Sequence, residues 1–191
     1  MFTEEVKPNE AKAFAKAFSR LIGVPLVSRE KLDSITDRKK YFAAARNCKC
    51  HLFLDPDTGL YIGKRRCSKA THLSLSELVD IACSRPHLLT LVFDQCFDRR
   101  QKREEQLRNK LRALAVDGVH GIAYHSHACF LLVGCDANLV EHARDVLLQE
   151  SHFPPERFIP EHNPRDDRMP PPPQRAVSTT VRCLNGNLRS G

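Results

Sequence analysis

Two apolar runs, Gly121-Ile122-Ala123-Tyr124 and Ala128-Cys129-Phe130-Leu131-Leu132-Val133, are separated only by His125-Ser126-His127. Three residues cannot carry a crossover, so the runs must pair as an antiparallel hairpin. What precedes the hairpin alternates strand and helix. His51-Leu52-Phe53-Leu54 is too short for a helix, and Pro56 drives Asp55 out of the helical region, so a buried strand is expected to end at Asp55. Ser74-Leu75-Ser76-Glu77 reads as a capping box that starts a helix running to about Ser84. Residues 88–93 are almost wholly apolar, as a strand buried on both faces would be. Residues 98–116 form the longest expected helix, with Leu107, Leu111 and Leu114 as its apolar stripe and Asp98 near its start as a cap. Arg99, Arg100, Lys102, Arg103, Arg108, Lys110 and Arg112 load its remaining surface. Glu104 with Arg108 and Glu105 with Lys110 are expected there as exposed ion pairs. Asp136 or Asn138 caps a last helix containing Leu139, Val140, Ala143, Val146 and Leu147.

From His51 the order is therefore strand, helix, strand, helix, strand, strand, helix. That order predicts an α/β fold: a three-layer, open, mainly parallel sheet with right-handed crossovers, the hairpin adding one antiparallel strand at the parallel edge. Residues 1–160 are expected to form one domain, with a helical N-terminal part over 1–45 and the sheet core over 46–160. In the N-terminal part Phe14, Phe18 and Leu21 recur at helical spacing before Gly23, and Thr36 is placed to cap a second helix through Tyr41, Phe42 and Ala45. Residues 161–191, with Pro170 to Pro173 among Arg, Asp, Ser and Asn, read as a disordered tail able to offer a polyproline segment.

The formal charge of +7 favours an anionic partner, nucleic acid or another phosphate-bearing ligand. No apolar run approaches the ~20 residues of a membrane span, so no membrane partner is expected. Met1-Phe2-Thr3-Glu4-Glu5 lacks the basic and apolar regions of a signal peptide. The eight cysteines accordingly read as reduced thiols of a cytoplasmic chain, several of them (Cys83, Cys129, Cys135) as small hydrophobes.

The run Leu52-Phe53-Leu54-Asp55-Pro56-Asp57-Thr58-Gly59-Leu60 is similar to the F-L-D-P-D-N-G-L signature of an uncharacterised bacterial methyltransferase-like family. The element order resembles the second half of the Rossmann-like methyltransferase fold, which closes with a hairpin holding a reversed strand. The likeness spans roughly residues 35–135. In that family a later strand ends in a polar pair followed by an arginine, a place held here by Asp94-Gln95 and Arg99. What the likeness implies is a ligand site at the strand ends. The chain departs from the pattern in having no G-x-G turn before residue 50 for close approach of a nucleotide cofactor, which argues against S-adenosylmethionine. The reading is then a binding module for an anionic ligand or nucleic acid that lacks a standard cofactor loop.

In open α/β sheets ligands bind beyond the carboxyl ends of the strands, which gathers Asp55, Asp57, Asp94 and Gln95 on one rim. Gly59, Lys64, Arg99, His125 and His127 complete the expected binding set, with an arginine at the helix start suited to phosphate. An alternative is a Mg²⁺-dependent phosphoesterase or nuclease. In it Asp55 and Asp57 hold the ion, Asp94 joins them as a catalytic carboxylate, and Arg99 or Lys64 steadies the phosphate. Against these stand blander readings: P-D-x-G is a common turn sequence, and His125-Ser126-His127 is a polar hairpin tip. Cys48, Cys50, Cys67 and His72 have zinc-ligand chemistry but lack a C-x2-C knuckle.

Overall fold

The computed structural model describes residue 27 and residues 37–63, 71–150 and 153–161. The expected helix over residues 8–23, the cap at Thr36, the basic loop residues Lys64 to Lys69 and the tail beyond Glu161 lie outside the described residues. No described helix is long and apolar enough to cross a membrane.

Two short helices open the described chain: α1 (Arg38–Tyr41) and α2 (Ala43–Asn47). Asp37 caps α1, accepting from the Lys40 N–H, and the single helix expected here is broken at Phe42. Strand β1 (Leu52–Leu54) follows, then β2 (Leu60–Tyr61) and β3 (Leu73–Ser74), which pair in parallel as a separate two-stranded sheet. The capping box forms as its sequence requires. Ser74 Oγ accepts from the Glu77 N–H, Glu77 accepts from the Ser74 N–H, and α3 (Leu75–Cys83) begins there. Glu77 also binds Arg38 through both oxygens, at 2.6 and 2.7 Å, fastening α1 to the start of α3.

Strand β4 (Thr90–Asp94) leads to α4 (Arg103–Val116), then to the hairpin β5 (His120–His125) and β6 (Cys129–Gly134), and to α5 (Ala137–Glu150). Asp136 rather than Asn138 caps α5, accepting from the Asn138 and Leu139 N–H groups. A 3₁₀ turn (Pro155–Arg157) and β7 (Phe158–Pro160) end the described fold. The helix expected from Asp98 starts five residues later. Asp98 is used instead in a local turn, its carboxylate accepting from the Arg100 N–H, while the Gln106 side chain holds both the N–H and the carbonyl of Asp98.

The main sheet has the order β1-β4-β6-β5-β7. Only β1 and β4 pair in parallel; β4–β6, β6–β5 and β5–β7 are antiparallel. The sheet is therefore mixed, not mainly parallel. The hairpin is not an edge addition: β6 sits between β4 and β5, and β7, absent from the expected order, covers the outer side of β5. The core joins Val92, Leu131 and Val133 of the sheet to Leu78 and Ile81 of α3 and Leu107, Leu111 and Leu114 of α4, all fully buried. A leucine buried to that extent contributes ~1.5–3 kcal/mol, so α4 is held mainly by its leucine stripe.

Candidate functional site

β1 and β4 are adjacent and parallel, with Leu54 opposite Val92. The chain after each strand therefore leaves from the same end of the sheet. Beyond β1, Asp55 is exposed, Pro56 is buried and Asp57 is exposed. The Gly59 N–H donates to the Pro56 carbonyl at 3.0 Å, so Pro56 to Gly59 form a closed turn. Gly59 has φ +87°, a conformation that glycine adopts without penalty. It is also wedged in place: an added Cβ would collide with Asp94 Oδ1 and with the backbone nitrogens of Gln95 and Cys96. The Gly59 carbonyl accepts from the Leu73 N–H at 3.1 Å, and the Thr58 and Thr71 hydroxyls meet at 3.2 Å, tying the turn to β3 and the residues before it.

Asp94 stands beneath this turn and is fully buried. Its Oδ1 accepts from the Leu60 N–H at 2.9 Å and the Cys96 N–H at 3.1 Å; its Oδ2 accepts from Lys110 Nζ at 2.6 Å. Lys110 Nζ also donates to the Cys96 carbonyl and lies 4.5 Å from the centre of the Phe97 ring. One carboxylate thus fixes the chain leaving the Asp55–Gly59 turn, the chain leaving β4, and the middle of α4. A buried carboxylate needs such partners, because an ion stripped of water is costly unless paired and hydrogen-bonded.

The remaining expected residues spread around the same end. Gln95 and Arg99 are exposed, the first just after β4 and the second in the loop before α4. His127 is exposed at the hairpin tip, and half-buried His125 has its Nδ1 3.8 Å from Glu104 Oε1 at the start of α4. Ser126 closes the tip through its hydroxyl and N–H, both donating to the Ala128 carbonyl. Asp94, Gly59 and the turn are directly bonded or packed together, whereas Gln95, Arg99 and His127 flank them. Lys64 lies outside the described residues. A cleft beside the turn is lined by residues 60–63 on one side and by Cys96, Asp98, Gln101, Gln106, Asn109 and Lys110 on the other. No cluster of three or more His, Cys, Asp or Glu side chains suited to a metal ion occurs among the described residues.

Lys110 does not pair with Glu105, and its burial corrects the expectation of a solvated lysine. Its position carried a signal: it lies three residues after Leu107 and four before Leu114, on the apolar stripe itself. Arg85 belongs to no motif of the sequence. It is buried, and its guanidinium donates to the Cys50 and Ile81 carbonyls, at 3.0 and 3.3 Å, and to the Thr90 hydroxyl. Of the three cysteines read as small hydrophobes, Cys129 is buried, Cys135 is half-buried and Cys83 is exposed. No family model, curated protein or solved structure matches this chain significantly.

Proposed function

We propose that the chain is a methyltransferase-like α/β domain acting as a binding module for an anionic, phosphate-bearing ligand or nucleic acid, at the rim where β1 and β4 end. The observation that carries this reading is the engagement of Asp94. With both oxygens held by Lys110 and two backbone N–H groups, Asp94 serves as the support of a rigid turn rather than as a free acid. The side chains around that support are solvent-facing: Asp55, Asp57, Gln95, Arg99, Arg100 and His127. Arginine forks and a net charge of +7 suit phosphate oxygens. The same engagement weakens the alternative of Mg²⁺-dependent phosphoester chemistry, which needs Asp94 as a ligand beside Asp55 and Asp57.

The Rossmann-like reading of the fold is supported by the parallel pair β1 and β4 and by the reversed strand β6 of the closing hairpin. It is supported too by helix contacts at two sheet glycines. Leu111 of α4 adjoins Gly121, and Val140 of α5 adjoins Gly134, residues whose register puts them on opposite faces.

Fluorescence anisotropy of the full chain with labelled single- and double-stranded oligonucleotides, at a series of salt concentrations, tests the proposal. Binding is expected to weaken with salt, and the Arg99→Ala/Arg100→Ala double variant to lower the slope of log affinity against log salt by about 1.5–2. Absence of binding, or a slope unchanged in the double variant, would refute it. A parallel titration with S-adenosylmethionine should show no micromolar binding.

A further inference from the structure

Four of the six described cysteines come in two contacting pairs, none of them joined. Cys48 Sγ and Cys50 Sγ lie 3.1 Å apart across Lys49. Cys83 Sγ and Cys135 Sγ, 52 positions apart in the chain, lie 3.0 Å apart. A disulfide needs its sulfurs at about 2.05 Å, so each pair would have to close by only about 1 Å. Zinc sites draw three or four ligands to one ion. Among the described residues the thiols come in twos, Cys67 of the zinc-type set lying outside them.

The two pairs meet the same end of α3. Cys83 is its last residue, and Arg85, two positions on, donates to the carbonyl of Cys50. The described hydrogen-bond partners of that buried guanidinium are a hydroxyl and two carbonyls, so its positive charge is not cancelled by any of them. The pairs then differ in character. Burial alone would raise the Cys48 thiol, but hydrogen bonds involving Cys50 and the charge of Arg85 outweigh it and hold Cys48 below the usual thiol range. The contact with Cys48 in turn pushes the exposed Cys50 thiol up. In the other pair, burial and the contact with Cys83 push Cys135 up to about 12. The thiolate is the attacking species in disulfide exchange, so the first pair has an attacking sulfur and an accessible second one.

We propose that Cys48-Lys49-Cys50 is a redox dithiol that exchanges with low-molecular-weight disulfides of the glutathione type and closes reversibly to an intramolecular disulfide. Cys48 gives up its proton and attacks one sulfur of the external disulfide, RS–SR. The S–S bond breaks, one RS⁻ leaves and takes up a proton, and a Cys48–SR mixed disulfide forms. Cys50, deprotonated in its turn, attacks Cys48 Sγ and expels the second RS⁻, which is also protonated. The balance is two protein thiols and one RS–SR giving one protein disulfide and two RSH. Two electrons pass from the protein to the external disulfide. This chemistry stands at the amino end of β1, whereas the proposed ligand rim stands at its carboxyl end, so the two can be tested separately.

The reduced full-length chain is incubated with glutathione disulfide at neutral pH and followed by intact mass and peptide mapping. The wild type is expected to lose two hydrogens from the peptide holding Cys48 and Cys50, with no lasting adduct, and to regain them with dithiothreitol. Cys50→Ser should trap a glutathione adduct on Cys48. Cys48→Ser leaves a single thiol of the pair and should show no loss of two hydrogens from that peptide. Both substitutions fall at a partly or fully exposed site, and matching circular dichroism would confirm that the variants fold. The proposal is overturned by a wild type unmodified at Cys48, by a first bond forming between Cys83 and Cys135, or by a Cys50→Ser variant that gains no adduct on Cys48.

Discussion

Lys110 Nζ and Asp94 Oδ2 stand 2.6 Å apart with their side chains 3% and 0% exposed, which joins the end of β4 to the middle of α4 by a buried ion pair. Removing one member strands the other charge. Lys110→Met is expected to destabilise the fold by about 3–5 kcal/mol in urea denaturation. Asp94→Asn/Lys110→Met retains an acceptor for the Leu60 and Cys96 N–H groups and leaves no buried charge. It should therefore be more stable than Lys110→Met alone. A double variant less stable than that single one would show that the pair does not hold these segments as described.

Gly59 and Gly118 both have positive φ, at +87° and +75°, but only Gly59 is hemmed in. Gly118→Ala meets nothing within 4 Å and should cost only the left-handed penalty of about 1–2 kcal/mol. Gly59→Ala adds a collision with Asp94 and the backbone after it, and should cost about 2–4 kcal/mol or more by thermal unfolding. Equal losses at the two sites would contradict the packing of the turn on β4.

Burial by itself would raise the Glu77 carboxyl, but hydrogen bonds from Arg38 and Ser74 outweigh it and hold Glu77 below its ordinary value of 4.5. A carboxylate depressed in the folded state adds stability above its unfolded pKa and loses it as pH falls through the folded one. Stability should therefore drop below about pH 4.5, and Glu77→Gln should flatten that acid limb while being less stable at neutral pH. Chemical denaturation at pH 7 and at intervals down to pH 3 would read both effects (sampling points roughly chosen to bracket a carboxyl titration).

Thr90 accepts a hydrogen bond from Arg85 inside the core. Thr90→Val keeps the shape and leaves a guanidinium N–H without its acceptor, at an expected cost of about 1–3 kcal/mol. Thr90→Ser keeps the hydroxyl and should recover most of the hydrogen-bonding part of that loss. A valine variant as stable as the wild type would mean that Arg85 is satisfied without Thr90.

Elements fixed by their own residues were legible in the sequence. The capping box at Ser74 and Glu77, the cap at Asp136 and the hairpin closed by Ser126 depend on contacts a few residues apart. Elements fixed from a distance were not. β2 and β3 are two residues each, too short for any periodicity, and exist because the turn at Gly59 is bonded to Leu73. β7 is three residues ending in proline, and it forms because β5 offers an edge. The placing of β6 inside the sheet is likewise invisible locally, since an antiparallel hairpin reads the same at an edge or in the middle. At the site, the strand end carrying Asp55 was readable from Pro56. The role of Asp94 was hidden because its partner, Lys110, sits among six other basic residues over 99–112.

The place of β6 also sets an order of assembly. β4 and β5 point the same way but touch only through β6, which comes after both in the chain. Until residues 129–134 have been made, the early half of the sheet has no bridge to the later half, and Val92 and Ala123 sit on strands awaiting a neighbour. A chain truncated just before Cys129 would leave bare the inner flank of β4 and both flanks of β5, the kind of surface that invites premature association.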